Sequence, residues 1–140
     1  MVPEQSTPPL IRLEGISKSF GQTLANADIS LDIRAGRIKA LLGENGAGKS
    51  TLMSILAGRF QPDQGDVQVR GRTTVFSSPK QAIESGIGMV YQHFMLVEGM
   101  TVAENVVLGQ EGRFWLKPKR IFQEVGRLAE RYKLEVEIGR

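Results

Sequence analysis

The residues with the clearest chemical potential lie in one short stretch, Gly43 to Thr51, which reads GENGAGKST. It matches the pattern G-x-x-x-x-G-K-[ST], with Gly43, Gly48, Lys49 and Ser50 at the fixed positions. Consecutive backbone N–H groups of a glycine-rich loop can surround an anion, and a helix that starts there points its positive dipole end at the same place. The pattern therefore predicts a site for the phosphates of a nucleotide.

The side chains of this stretch have separate expected roles. Lys49 adds a full positive charge that can reach the β and γ phosphates. The Ser50 hydroxyl suits Mg²⁺, a hard cation that prefers oxygen ligands. An accidental match in a glycine-rich turn is the alternative, and the flanking pattern argues against it. We expect every residue of the stretch to contribute to nucleotide binding: Gly43, Glu44, Asn45, Gly46, Ala47, Gly48, Lys49, Ser50 and Thr51.

The flanking residues predict the elements that position this loop. The apolar run Ile38 to Leu42, interrupted by one lysine, has the composition of a buried strand. After the loop, apolar residues recur at helical spacing from Leu52 to Ala57, and Gly58 ends the helix. A strand, a glycine-rich loop and a helix in this order form the arrangement in which such a loop binds phosphate.

Alternating apolar residues predict further strands on both sides of the loop. Strands are expected from Leu10 and over Ile29 to Ile33, and their short connections favour antiparallel pairing. Val67 and Val69 predict another strand of a small antiparallel sheet. The apolar run Ile87 to Val90 also has the length of a strand.

Three helices are predicted beyond the loop helix. Ser78 and Pro79 begin a short one, as N-cap and first helical residue. Thr101 and Glu104 form a capping box ahead of a second. Pro118 opens the last helix, whose apolar residues recur at helical spacing and predict a face packed on the domain: Ile121, Val125, Leu128 and Tyr132.

The length, composition and charge of the chain argue against several classes of protein. The chain has 140 residues, no cysteine and a net charge of +3, with its basic residues spread along the sequence. We therefore expect one domain or part of one, no disulfide and no nucleic-acid partner. No apolar run is long enough to span a bilayer, and the Pro-rich start lacks the features of a signal peptide. Residues 1–9 are expected to be a flexible arm, and the protein to be cytoplasmic.

Three features together resemble the nucleotide-binding domains of ATP-binding cassette (ABC) transporters. They are GENGAGKST, Ser19-Phe20-Gly21, and Ile87 to Gly109, which reads IGMVYQHFMLVEGMTVAENVVLG. The resemblance covers residues 10–140 as one domain. It implies an α/β P-loop NTPase fold, with an N-terminal antiparallel β subdomain, the first part of a RecA-like core and the start of a helical subdomain. It is closest to ATPase subunits of importers for simple sugars and nucleosides, with nucleosides favoured.

The resemblance implies ATP and Mg²⁺ as ligands and adds two site residues. Phe20 matches the aromatic residue that stacks on adenine, the alternative being a phenylalanine of the strand core. Gln92 matches the glutamine that reaches Mg²⁺ and the attacking water, the alternative being a polar cap at a strand end. Lys49 and Gln92 are the expected catalytic residues, and Ser50 and Gln92 the metal-binding ones. His93 is interpreted as an ordinary polar residue.

The resemblance also identifies motifs that this sequence lacks. The family uses an L-S-G-G-Q signature, a strand ending in Asp-Glu and a late histidine, and none of these motifs occurs here. We therefore expect an N-terminal fragment that binds nucleotide with little or no turnover, and that has an open sheet edge or uncovered apolar surface.

The implied partners are a second ABC ATPase domain and a membrane-spanning permease, which would place the protein peripherally on the inner face of the cell membrane. The apolar segment Phe94 to Met100 is either a docking site for that permease or a core contact. The alternative function is a non-transport ABC ATPase that acts on nucleic acid or in translation.

Overall fold

The structure, a computed structural model, describes residues 8–92, 96–109 and 118–139. It divides into two compact units, Met1–Val90 and Tyr91–Arg140. Most of the expected N-terminal arm, residues 1–7, lies outside the described residues, as do His93 and the first two residues of the apolar segment. None of the helices in the described ranges has both the length and the apolar composition needed to cross a membrane.

The first unit contains a four-stranded antiparallel sheet. Its strands are β1 (Ile11–Phe20), β2 (Thr23–Ile33), β3 (Gln64–Val69) and β4 (Arg72–Thr73), in the spatial order β2-β1-β3-β4. Every neighbouring pair runs antiparallel. The predicted antiparallel sheet is therefore confirmed.

One helix packs on this sheet and forms the core with it. Helix α1 spans Lys49–Leu56, and Gly58 ends it with a φ of 70°, as predicted. The large buried side chains of this core come from β1, β3, α1 and the segment after β4: Leu13, Ile16, Leu52, Ile55, Leu56, Val67, Val69 and Phe76. Each of these side chains contributes roughly 1.5–3 kcal/mol by leaving water. The core thus fixes α1, whose first turn continues the glycine-rich loop.

Two of the predicted strands, those at Ile38 to Leu42 and at Ile87 to Val90, are not formed. Residues 37–44 and 87–91 have no strand assignment among the described residues. Ile38, Leu42 and Val90 are 101%, 89% and 90% exposed. A strand needs a neighbour that accepts and donates its backbone hydrogen bonds, and apolar composition alone does not supply one. The expected strands are wrong for this structure, whereas the expected uncovered apolar surface is confirmed.

Helix α2 completes the first unit. It spans Pro79–Glu84, with Ser78 as N-cap and Pro79 at its start, as predicted. The Ser78 side chain makes no capping hydrogen bond in the described structure. Instead, the backbone N–H of Ser77 donates to Gln81 Oε1 at 2.8 Å.

The second unit contains two helices, α3 (Val102–Val107) and α4 (Pro118–Tyr132). The predicted capping box at Thr101 and Glu104 is present, with both reciprocal hydrogen bonds. The predicted packed face of α4 is only partly formed. Val125 is buried, but Leu128 and Tyr132 are 45% and 64% exposed. Helical spacing predicts which residues share a face, but it does not predict how much of that face a neighbouring element covers.

Candidate nucleotide-binding site

The glycine-rich loop curls because two of its glycines take left-handed backbone angles. Gly46 has a φ of 85° and Gly48 a φ of 79°, a region that residues with a Cβ rarely occupy. Between them, the Ala47 N–H donates to Glu44 O at 3.2 Å. Gly48 is the N-cap of α1, and its carbonyl accepts from the Leu52 N–H at 2.9 Å. The curled loop therefore runs directly into the first turn of the helix.

The amino end of α1 is suited to an anion. Among the described residues, no side chain caps it and no acidic residue lies in its first turn. The first backbone N–H groups of a helix have no partner within the helix, and they carry the positive end of its dipole. A phosphate group is the ligand that such an end binds best.

The side chain of Lys49 folds back across the loop. Its Nζ donates to Gly43 O at 2.6 Å and to Glu44 O at 2.5 Å. An ammonium group has three donors and no acceptor, so it bridges the two carbonyl oxygens and keeps a donor for an anion. The positive charge is thereby held over the same curled backbone whose N–H groups could surround a phosphate.

Strand β2 contacts the loop through Asn26. Asn26 Nδ2 donates to Gly48 O at 3.2 Å, and the Asn26 side chain is 5% exposed. A Cβ on Gly48 would lie 2.6 Å from Asn26 Nδ2 and still closer to the carbonyl oxygen of Ala25. Gly48 therefore meets two requirements, a left-handed backbone and close approach to a neighbouring strand.

Sequence reasoning missed Asn26. The alternation over Ile29, Leu31 and Ile33 would put Asn26 on the opposite face of β2. The β1–β2 register shifts between Ile16 and Lys18, and Asp28 takes a φ of 49°. An irregularity of this kind changes which face the following residues occupy, and no residue type in β2 signals it.

The two residues that follow Lys49 carry hydroxyl groups, whose oxygen atoms are potential metal ligands. Ser50 is exposed in the first turn of α1, and Thr51 beside it is half-buried. The described residues contain no cluster of three or more His, Asp or Glu side chains that could hold a metal without help. The exposed Ser50 hydroxyl suits a Mg²⁺ ion whose other ligands are mostly phosphate oxygens and water, which is how this cation is commonly bound.

Phe20 lies at the end of β1, next to the turn at Gly21, and it is 43% exposed. It is therefore not a core residue. Its ring makes an edge-to-face contact with Phe60, with centroids 5.1 Å apart and planes at 72°. Lys18 Nζ lies 5.7 Å from the Phe20 ring centroid. The ring is held by these neighbours and still presents surface to a ligand.

Asp63 ties this aromatic pair to the sheet. Its carboxylate accepts from Lys18 Nζ at 2.6 Å and from the Ser19 N–H at 2.7 Å. The hydrogen bond from Lys18, followed by that from the Ser19 backbone, lowers the pKa of Asp63 below its ordinary value. Sequence reasoning missed both Phe60 and Asp63, because their partners in β1 are distant in the chain.

Gln92 belongs to the second unit, where its side chain is exposed. Nearby, Leu96, Val97 and Met100 are 70%, 42% and 37% exposed. The Asn105 side chain organises this segment, since its Oδ1 accepts from the Val97 N–H at 2.9 Å and its Nδ2 donates to Val97 O at 3.2 Å. Asn105 is another residue that sequence reasoning missed.

Comparison with known proteins assigns the family. A family model described as "ABC transporter" matches residues 26–138. The chain belongs to the ABC transporter family. A solved ABC structure agrees in fold: a nucleotide-free ATP-binding cassette from an ABC transporter superposes with a TM-score of 0.79 at 24% identity, covering 94% of this chain and 56% of that one.

Two curated ABC relatives differ in the solute that their names give. The guanosine import ATP-binding protein NupO of Bacillus subtilis is 48% identical over 91% of this chain. The glucose import ATP-binding protein TsgD13 of Haloferax volcanii is 53% identical over 73% of this chain. The chain spans only 25% and 18% of the lengths of these two relatives.

Proposed function

We propose that this chain binds MgATP as part of the ATPase of an ABC importer for nucleosides or simple sugars. The observation that carries the proposal is the curled loop at the amino end of α1, with Lys49 bridging the carbonyl oxygens of Gly43 and Glu44. This arrangement offers backbone donors, a helix dipole and the positive charge of Lys49 to one ligand. A nucleoside triphosphate has matching charge at one end and a flat base at the other.

Binding in this proposal uses the described residues as follows. Backbone N–H groups of the curled loop and of the first turn of α1 donate to the β and γ phosphates. Lys49 exchanges its carbonyl partners for phosphate oxygens, which forms charge-assisted hydrogen bonds. Mg²⁺, when bound, neutralises phosphate charge and is held in part by the Ser50 hydroxyl. The exposed surface of Phe20 stacks on the base.

Hydrolysis in this proposal depends on more than the loop. Gln92 would orient the attacking water and would be one of the residues that hold Mg²⁺, as the family resemblance implies. Phosphoryl transfer requires water, metal and positive charge in line with the γ-phosphate. The sequence contains no apolar strand that ends in a carboxylate pair, so we expect the 140-residue chain to bind nucleotide with little or no turnover. A second ABC ATPase domain would complete the site.

The solute is proposed to be a nucleoside, with a simple sugar as the alternative. Similarity to the guanosine import protein extends over 91% of the chain, and similarity to the glucose import protein over 73%. The chain would then act at the inner face of the cell membrane, through a membrane-spanning permease. Co-purification with such a permease would distinguish this proposal from a non-transport ABC ATPase.

Calorimetric titration with MgATP tests the proposed site directly. We expect the wild-type chain to bind and Lys49→Ala to bind roughly ten- to a hundredfold more weakly, because the variant loses a charge-assisted hydrogen bond. Lys119→Ala, which removes the same charge from an exposed position of α4, should bind like the wild type. Equal affinity of Lys49→Ala and wild type would contradict the proposal.

A further inference from the structure

A small cluster of side chains joins the end of β1 to the segment that links α1 to β3. Lys18 and Phe20 come from β1, and Phe60 and Asp63 come from the linking segment. Three hydrogen bonds hold the two parts together. The Asp63 N–H donates to Ser17 O at 2.8 Å, and its carboxylate accepts from Lys18 at 2.6 Å and from the Ser19 N–H at 2.7 Å. The backbone directly before Phe20 is therefore fixed.

The two phenylalanines of this cluster are not explained by burial. Phe20 and Phe60 are 43% and 37% exposed, whereas Phe76 in the core is 4% exposed. An edge-to-face aromatic pair contributes energy beyond the area that it buries, and it restricts the orientation of both rings. Phe60 therefore limits how the Phe20 ring can turn at the protein surface.

Lys18 connects the charged and aromatic halves of the cluster. Its ammonium group contacts the Asp63 carboxylate at 2.6 Å and lies 5.7 Å from the Phe20 ring centroid. Its side chain is only 16% exposed. A cation near an aromatic ring attracts it electrostatically, so the position of Asp63 influences the ring through Lys18 as well as through the backbone.

We propose that Phe60 and Asp63 are positioning residues that orient Phe20 for stacking on the nucleotide base. The inference rests on the proposed function and deepens it. Helix α1 carries the phosphate site at its amino end, and the segment after its carboxyl end carries Phe60 and Asp63. One continuous stretch, residues 49–63, thus supports both ends of the ligand. A ring that is oriented before binding loses less conformational freedom when the base arrives.

The test compares a ligand that has a base with one that lacks it. Calorimetric titrations of the 140-residue chain use MgATP and magnesium tripolyphosphate. Phe60→Leu and Asp63→Ala should weaken MgATP binding about two- to tenfold, the range of an aromatic pair contact, and leave tripolyphosphate binding unchanged. Phe20→Leu should lower MgATP affinity at least as much. Phe60→Tyr, which retains the ring, should restore MgATP binding.

Matched controls separate positioning from general damage. Phe122→Leu removes a ring with the same 37% exposure from the second unit. Asp66→Ala removes the same charge from an exposed position in β3. Both should bind the two ligands like the wild type. Circular dichroism spectra and thermal midpoints then show whether each variant keeps the wild-type fold.

Each outcome bears on one claim. Equal weakening of both ligands by Phe60→Leu and Asp63→Ala would overturn the inference, because the residues would then act through the phosphate loop or the fold. Unchanged MgATP binding in these variants would also overturn it. If Phe20→Leu bound MgATP like the wild type, Phe20 would not be the residue that stacks on the base, and the inference would be overturned. If the wild type bound neither ligand, the proposed function would fail, and the inference with it.

Discussion

At the scale of single residues, the candidate site depends on the absence of a side chain as much as on the presence of one. Lys49 provides charge, but its position over the loop depends on the turn that Gly46 and Gly48 allow. Gly48 has the additional constraint of lying against the backbone of Ala25 and the amide of Asn26. These two glycines have similar φ angles and different surroundings, so substitutions at them separate backbone strain from crowding.

We expect Gly48→Ala to destabilise the protein more than Gly46→Ala. Both substitutions force alanine into a left-handed conformation, which costs roughly 1–2 kcal/mol. A Cβ at position 46 has no heavy atom within 4 Å, whereas one at position 48 would lie 2.6 Å from Asn26 Nδ2. Gly48→Ala should therefore lower the free energy of unfolding by about 3 kcal/mol or more in total, since the clash with β2 adds to the strain. Urea unfolding measures both losses, and equal losses would contradict the argument.

The sequence predicts the loop residues because glycine, lysine and serine are each required by type at fixed spacing. It does not predict Asn26, whose contact with Gly48 depends on a register shift between β1 and β2. It does not predict Phe60 or Asp63 either, because both contact β1 only after the sheet has formed. Local chemistry can be read from the sequence here, and contacts between distant segments cannot.

At the scale of elements, the predicted helix ends are confirmed, whereas two of the predicted strands are not formed. The capping box at Thr101, the N-cap position at Ser78 and the glycine stop at Gly58 lie where the sequence predicts them. Each depends on residues within a few positions of one another. The strands expected at 38–42 and 87–90 depend on hydrogen bonds from a neighbouring strand, and no such strand lies beside them in the described residues.

The capping box makes α3 sensitive to acid. Hydrogen bonds from the Thr101 N–H and hydroxyl, at 2.8 and 2.9 Å, lower the pKa of Glu104. A carboxylate whose pKa is lower in the folded state stabilises that state above the unfolded pKa, about 4.3 for glutamate. This stabilisation decreases as the pH falls below that value and is lost below the folded pKa.

We expect the wild type to be more stable than Glu104→Gln at pH 7, and the difference to shrink as the pH is lowered from 5 to 3. Urea unfolding across this range measures it. Glu98→Gln is the matched control, since it removes an exposed carboxylate outside the capping box, and it should unfold like the wild type. A constant difference between wild type and Glu104→Gln would mean that the Glu104 charge is not what stabilises the cap.

At the scale of the whole molecule, the exposed apolar residues have the largest consequence. Ile38, Leu42 and Val90 lie in segments of strand composition outside the sheet, and each is at least 89% exposed. A segment of this kind offers apolar side chains and backbone hydrogen-bonding groups to another chain. The sequence predicts this surface correctly, because both segments are apolar in composition and neither pairs with a strand in the described residues.

We therefore expect the 140-residue chain to self-associate in a concentration-dependent manner. Ile38→Ser should reduce the association, because it removes apolar surface from one such segment, and should leave tripolyphosphate binding unchanged. Ile83→Ser is the matched control, since Ile83 is 66% exposed but lies on α2, whose backbone groups are already hydrogen-bonded within the helix. Sedimentation velocity at several concentrations measures the association. A wild-type chain that stays monomeric throughout would show that exposed strand-like segments do not drive pairing here, and an equal effect of both variants would assign the association to apolar area in general.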